Sequence, residues 1–289
     1  MLLENENIKK HSYIKVGGIV RTFYKTDKLV DVIKFCKEHD RFIAISNTSK
    51  ILFAFDKLDI PIIKFIKKDV IFFNDSFFAY SGISLFLLNK ILSQKGISGF
   101  EYLSTIPGLV GGSIVNNSSF NNQCISDLLL KVLVFKDNKF IWVDKENCNF
   151  SYRNSNLNDE NILIIGGLFK KLLKDSNEIF ENNKKAVDLR KKLKHLYINN
   201  LGSTFKNLDN IQIGKTLDQL GYKGYKFNDY ISVCDTHANF LIIKEDCKYE
   251  DVLLSLTFLE KVLYNYLGKK VELEIQVIDK YGKRKKYGT

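Results

Sequence analysis

The chain has 289 residues, 45% of them hydrophobic and 27% charged, enough for two or three packed units with ordinary apolar cores. Apolar runs stay well short of the roughly eighteen residues of a membrane span, and the opening MLLENENIKK lacks the cationic start and apolar stretch of a secretory leader, so neither a span nor export is expected. The formal charge of +11 comes from 44 basic against 33 acidic side chains, with arginine only at Arg21, Arg41, Arg153, Arg190 and Arg284; so lysine-rich a surplus reads as a solvated surface attracting anionic ligands rather than as base readout, and no nucleic-acid partner is expected.

Cys36, Cys124, Cys148, Cys234 and Cys247 are scattered singly without a C-x-x-C pair, which suits reduced thiols in a cytoplasm better than a disulfide framework or a zinc site. His11, His39, His195 and His237 lie far apart and form no ligand pattern, so no metal is expected.

In chain order, Leu29 to His39 carries apolar residues at helical spacing, and Arg41 to Ile45 reads as a short strand. Ile60 to Ile66 is a second strand candidate. Phe72 to Ile83 alternates short apolar and polar stretches, and Leu85 to Gln94 reads as a helix that Gly96 stops. Leu128 to Val143 holds two apolar runs around the polar turn Lys136-Asp137-Asn138-Lys139, a hairpin, with another strand at Ile162 to Lys170. A Lys-rich helix is expected from about Asn177 to Leu196, with Ala186, Val187, Leu189 and Leu193 toward the core, then a loop from Tyr197 to Asn210. The last third predicts a helix at Ile213 to Leu220, a strand at Asn239 to Ile243, a helix at Tyr249 to Leu267, a strand at Val271 to Ile278, and a frayed basic tail over Lys280 to Lys286. Periodicity alone thus indicates a mixed α+β chain.

Ile106-Pro107-Gly108-Leu109-Val110-Gly111-Gly112 is the strongest local signal. Pro107 presets a turn, Gly108 can take the φ > 0 position after it, and Gly111 and Gly112 leave backbone bare. Such backbone suits a plain turn, or a phosphate held by main-chain N–H groups.

Glu101 to Asn117 (EYLSTIPGLVGGSIVNN) resembles the flavin-binding signature of the UDP-N-acetylenolpyruvoylglucosamine reductases, the MurB family of cell-wall enzymes. Four more stretches resemble the family in the family's order: His11 to Gly18 (HSYIKVGG), Tyr152 to Ser155 (YRNS), Gly202 to Asn207 (GSTFKN) and His237 to Phe240 (HANF). The family's closing E-x-E-V strand falls on Glu272-Leu273-Glu274-Ile275, and the 50 residues from Arg153 to Ser203 resemble the family's shorter branch, which lacks an inserted tyrosine-bearing loop.

The resemblance implies an NADPH-dependent flavoenzyme that reduces UDP-N-acetylenolpyruvoylglucosamine to UDP-N-acetylmuramate for peptidoglycan, with FAD as cofactor. By resemblance, Ser203 is the general acid, Arg153 pairs with the substrate carboxylate, a task suited to a forked guanidinium, and Glu274 helps stabilise the enolised carboxylate. Tyr152, Lys206 and Asn207 match positions near the substrate, Lys206 for the diphosphate. Without the resemblance, Ser203 reads as a loop cap, Arg153 as a surface arginine, and Glu272, Glu274 and Gln276 as the wet face of one strand. His237 reads as a structural, hydrogen-bonded histidine. Ile106, Pro107, Gly108, Gly111, Gly112, Ser113 and Asn117 would bind the flavin, together with Ser46, Asn47, Thr48, Ser49 and Lys50.

That last stretch departs from the family. All three glycines of the family's pyrophosphate loop are replaced, and Lys50 stands where the family has asparagine; Asn47 is able to adopt the left-handed conformation and Lys50 to supply charge where amides are lost. Downstream, Ser119-Phe120-Asn121 replaces the family's Gly-Ala-Tyr. The resemblance implies an α+β fold, with FAD-binding subdomains of the vanillyl-alcohol-oxidase type at residues 1–66 and 67–176 and a substrate domain at 177–289. A monomer without membrane partners is expected. The alternative is a flavin-free sugar-nucleotide-binding protein on the same scaffold.

Overall fold

A computed structural model describes residues 1–159, 161–193, 199–208 and 210–285. They form two compact units, each assembled from separate stretches of chain. The first comprises Met1–Leu3, Phe23–Asn47 and Pro61–Lys192; the second comprises Glu4–Thr22, Thr48–Ile60 and Leu193–Thr289. The partition expected at 66 and 176 differs from this division, because strand pairing gathers the early residues 4–22 and 48–60 with the C-terminal residues.

In the first unit, Phe23–Thr26 pairs in parallel with Ile62–Phe65, which pairs on its other side with Ile43–Ala44. Helix α1 (Leu29–Glu38) buries Val32, Phe35 and Cys36, in one apolar cluster with Phe42, Ile63, Phe65 and Phe135. A five-stranded antiparallel sheet has the order Lys139–Asp144, Leu129–Lys136, Leu163–Lys170, Ser76–Tyr80, Val70–Phe72. Its first hairpin turns at Asp137 and Asn138, with φ of 49° and 59°, the left-handed pair that suits a two-residue connection and that Asp and Asn tolerate.

Helix α2 (Leu85–Ser93) begins where Ser84 Oγ accepts the Leu87 N–H at 3.1 Å, an N-cap. It buries Leu85, Leu88 and Leu92 in a cluster with Phe77, Phe100 and Phe169. The same cluster takes Val110 and Ile114 from the short helix α3 (Val110–Val115). Helix α4 (Ser176–Lys191) is capped by Asp175 and buries Ile179 and Ala186. Val187 is exposed, not inward as expected, because only the 179/186 stripe meets the core. The predicted end of this helix at 194–196 lies outside the described residues, as do 197, 198 and 209 of the predicted loop.

In the second unit, helix α5 (Ile213–Gln219), the hairpin Ile231–Val233 with Leu241–Ile243, and helix α6 (Tyr249–Leu267) enclose one core. Helix α6 buries Val252, Leu256, Leu259 and Leu263, a 3.6-residue stripe, and stops at Gly268 with φ +65°. The last strand is shorter than expected, Gln276–Asp279, and pairs in parallel with Ile51–Ala54. The predicted frayed tail is in part ordered: Arg284–Lys285 pairs antiparallel with that strand, while Lys286 lies outside the described residues. No helix among the described residues is long and apolar enough to cross a membrane.

Candidate active site

Within the first unit, the glycine turn is used for packing. Gly108 has a negative φ, contrary to expectation, since its N–H reaches back to Ile106 O at 2.8 Å and its carbonyl accepts the Leu85 N–H at 3.1 Å. The N–H groups of Val110 and Gly111 are taken by the carbonyls of Ile83 (2.9 Å) and Ser81 (3.0 Å), so they are not bare donors. A Cβ on Gly111 would lie 2.7 Å from Ser81 Cβ, and one on Gly112 3.1 Å from Ser46 Cβ and Oγ. These two glycines therefore let α3 sit against Ser81 and Ser46. Asn47 Nδ2 donates to Pro107 O at 3.4 Å.

Two polar atoms on this side are left over. Ser46 Oγ, against Gly112, and Asn117 Oδ1, just past the end of α3, are buried without a hydrogen-bond partner among the described residues. A buried polar atom needs such a partner, and a polar ligand or a bound water supplies it. A nucleotide cofactor carries the hydroxyls, phosphates and ring N–H groups to do so, and the residues present fit one.

Asn117 also holds the turn that carries Arg153. Its Nδ2 donates to Ser151 O at 3.1 Å, and Ser155 Oγ donates to Val115 O at 2.7 Å. Within that turn Ser151 and Asn154 exchange main-chain hydrogen bonds, and Arg153 has φ 55°. A left-handed arginine is uncommon, and such strain collects at functional positions. Arg153 Nη1 donates to Ser119 Oγ at 2.9 Å and to Ser119 O at 3.3 Å, and its guanidinium lies over the Tyr152 ring at 5.5 Å. Tyr152 itself is exposed.

Within the second unit, the left-handed residue of the altered loop is Thr48 (φ 56°), not Asn47. Its buried hydroxyl explains how a β-branched residue keeps that conformation: Oγ1 accepts the Tyr13 N–H at 2.8 Å and donates to His11 O at 3.0 Å. The altered loop is thus tied to the HSYIKVGG stretch by a side chain.

The segment after Gly202 (φ +74°) is clamped on both sides. Thr204 N–H donates to Asn239 O at 2.7 Å; Asn239 Oδ1 accepts the Phe205 N–H at 3.0 Å, and its Nδ2 donates to Phe205 O at 2.8 Å. On the other side Lys206 N–H donates to Glu272 O (2.9 Å) and Glu274 N–H to Thr204 O (2.8 Å). Gln276 N–H donates to Lys50 O at 2.7 Å. Lys50 Nζ then reaches Glu274 Oε1 at 2.8 Å and Ser203 O at 3.0 Å. Lys206 Nζ pairs with Glu272 Oε2 at 3.0 Å.

Residues 272–275 precede the strand and do not present one wet face. The Glu274 side chain is 6% exposed and Glu272 40%. Asn207 Oδ1 accepts the Ile213 N–H at 3.1 Å, a contact that starts α5. His237 is hydrogen-bonded as expected: Nδ1 accepts the Asn239 N–H at 3.2 Å, and its ring packs on Phe240. Burial, reinforced by Lys223, pushes the imidazole below its ordinary value.

Residues 192–278 match the C-terminal domain of UDP-N-acetylenolpyruvoylglucosamine reductase. The reductase of that name from Thermosipho melanesiensis is 29% identical over 94% of this chain and 94% of its own length, and the one from Prochlorococcus marinus is 28% identical over 95% and 96%. The crystal structure of that reductase (MurB) from Thermus caldophilus shares the fold, with a TM-score of 0.80 at 23% identity over 96% of this chain and 98% of that one.

Along more than nine-tenths of its length the chain is similar to the UDP-N-acetylenolpyruvoylglucosamine reductases.

The residues named by resemblance fall into two groups. Ser46, Asn47, the 106–113 turn, Asn117, Tyr152 and Arg153 belong to the first unit; Thr48, Ser49, Lys50, Ser203, Lys206, Asn207 and Glu274 belong to the second. Sequence reasoning missed the roles of Asn239 and Ser119. Asn239 had a signal, a polar residue entering the apolar run Phe240 to Ile243; Ser119 had only its departure from the family's glycine.

Proposed function

We propose that this chain reduces UDP-N-acetylenolpyruvoylglucosamine to UDP-N-acetylmuramate, a cytoplasmic step of peptidoglycan precursor synthesis, with FAD as cofactor and NADPH as reductant. Similarity along more than nine-tenths of the chain supports the family chemistry. The observation that carries the reading is the buried Glu274 carboxylate held beside the Ser203 main chain.

Reduction of an enol ether needs a hydride on the methylene carbon and a proton on its neighbour, so that two electrons and two protons are added across the C=C bond. FAD, when bound, supplies the hydride that NADPH provides. Ser46, Asn47, residues 106–113 and Asn117 would hold it, with Thr48 and Ser49 from the altered loop. The Ser203 hydroxyl gives its proton to the carbon next to the carboxylate. Arg153 pairs with that carboxylate as negative charge builds on it, and Glu274 acts with it. Tyr152, Lys206 and Asn207 lie toward the UDP-sugar in this reading, Lys206 for the diphosphate.

The test is spectroscopic. FAD added to the purified protein should give a saturable flavin spectrum; anaerobic NADPH should bleach it, and the enolpyruvyl substrate should restore it. Failure of saturable binding overturns the reading.

A second reading is a sugar-nucleotide-binding protein without flavin. It is favoured by the internal use of the Val110 and Gly111 N–H groups and of the Lys50 ammonium. It expects the UDP-sugar, and not FAD, to raise the melting temperature.

A further inference from the structure

Lys50 stands where resemblance assigns flavin phosphate binding, yet its ammonium is directed elsewhere. Nζ lies 2.8 Å from Glu274 Oε1 and 3.0 Å from Ser203 O. The register makes this contact: Lys50 precedes the strand Ile51–Ala54, whose parallel partner starts at Gln276, and the Gln276 N–H donates to Lys50 O at 2.7 Å. Positions 50 and 274 are thereby held close along the two chain segments, and the long lysine side chain spans the remainder. Gly202 opens the path, because a Cβ there would lie 2.7 Å from Lys50 Nζ and 3.0 Å from Cε. A compact ammonium with three donors can hold a carboxylate and a carbonyl at once.

We propose that Lys50 is a positioning residue of the reductive site and not a ligand of the flavin phosphates: it fixes the Glu274 carboxylate and the Ser203 main chain in one cluster. The inference rests on the reading that Ser203 and Glu274 serve the reduction. At 6% exposure the Glu274 side chain is nearly stripped of water, and a carboxylate in that position needs a counter-charge. Its partner also offsets the repulsion that a second, substrate carboxylate would otherwise meet. Lys206 pairs with Glu272 at 3.0 Å, and Lys50 supplies a cation at 2.8 Å from Glu274. Where the resemblance expects an asparagine, this chain thus brings a charge to the Ser203–Glu274 cluster.

Lys50→Met, which keeps the stem and removes the charge, and Lys50→Arg test this. In the flavin-free protein, amide hydrogen exchange at Thr204, Phe205 and Lys206 is expected to speed up about tenfold or more in Lys50→Met and to be largely restored in Lys50→Arg. FAD affinity should change less than about threefold, while reoxidation of the bound, reduced flavin by the enolpyruvyl substrate falls about a hundredfold in rate, with a smaller change in KM. Unchanged exchange overturns the proposal. So does a loss of FAD affinity beyond about tenfold with unchanged reoxidation per bound flavin, the signature of a phosphate ligand. If Lys50→Met does not fold, Lys50→Gln carries the same comparisons. If the unsubstituted protein reduces no enolpyruvyl substrate, the proposed function fails, and the exchange experiment still decides whether Lys50 orders this segment.

Discussion

Asn239 binds both polar groups of the Phe205 main chain, accepting its N–H at 3.0 Å and donating to its carbonyl at 2.8 Å. Both residues are buried, so water does not compete for either group. One amide side chain thereby does for the segment after Ser203 what a neighbouring strand would do.

Asn239→Ala leaves one donor and one acceptor buried without partners. Each such group costs about 1–3 kcal/mol, so urea unfolding should show a loss of about 2–6 kcal/mol. A loss below about 1 kcal/mol would mean that the Glu272 and Glu274 side of the clamp holds the segment alone.

Ser203→Ala separates the two half-reactions. In the proposed reaction only substrate reduction needs its proton, so anaerobic reduction of the flavin by NADPH should stay close to that of the unsubstituted protein while turnover falls by at least about a hundredfold. Equal losses in both halves would remove Ser203 from the role of acid.

Arg153 is oriented by Ser119, whose hydroxyl accepts from Nη1 at 2.9 Å where the family pattern has glycine. Arg153→Lys cannot keep both the Ser119 contact and a forked grip on a carboxylate, and kcat/KM should fall by about a hundredfold or more. Ser119→Gly removes only the hydroxyl, and a fall of about three- to tenfold is expected. Near-normal kcat/KM in Arg153→Lys would make this arginine structural.

His237 sets a pH dependence. Its value is lowered from 6.5, first by burial, then by Lys223, against opposing contributions from its main-chain hydrogen bond and Asp218. The unfolded chain therefore binds the proton more readily. The contribution of the neutral ring is complete above about pH 6.5 and is lost as pH falls from there through the lower folded value. Stability measured at pH 7.5 and at pH 5 should drop more in the unsubstituted protein than in His237→Asn; equal drops would show that the ring stays neutral in neither state or in both.

How much of this was legible in the sequence differs element by element. Helix α6 was readable end to end, because its apolar stripe is regular and Gly268 stops it in the left-handed conformation. The hairpin at Lys136 to Lys139 was equally legible, since Asp and Asn are the residues that tolerate its φ > 0 turn. The last strand was overread by five residues at its start: Val271 to Ile275 keep an alternating pattern, but apart from the isolated Phe205–Leu273 bridge their main chain serves the 204–206 segment and a bend. The glycine turn was recognised as a signal and misassigned in conformation, because its donors are consumed by Ile83 and Ser81, residues that no local pattern pairs with it.

Residue type and order along the chain were enough to mark the short stretches that resemble the family's motifs, and with them Ser203, Arg153 and Glu274 as the expected reactive positions. That Lys50 meets Glu274, that Ser119 meets Arg153 and that Asn239 carries Phe205 is visible only in the folded chain. Each of these contacts joins residues distant along the chain, and none exists until strand register and side-chain length have set what an ammonium, a hydroxyl or an amide can reach.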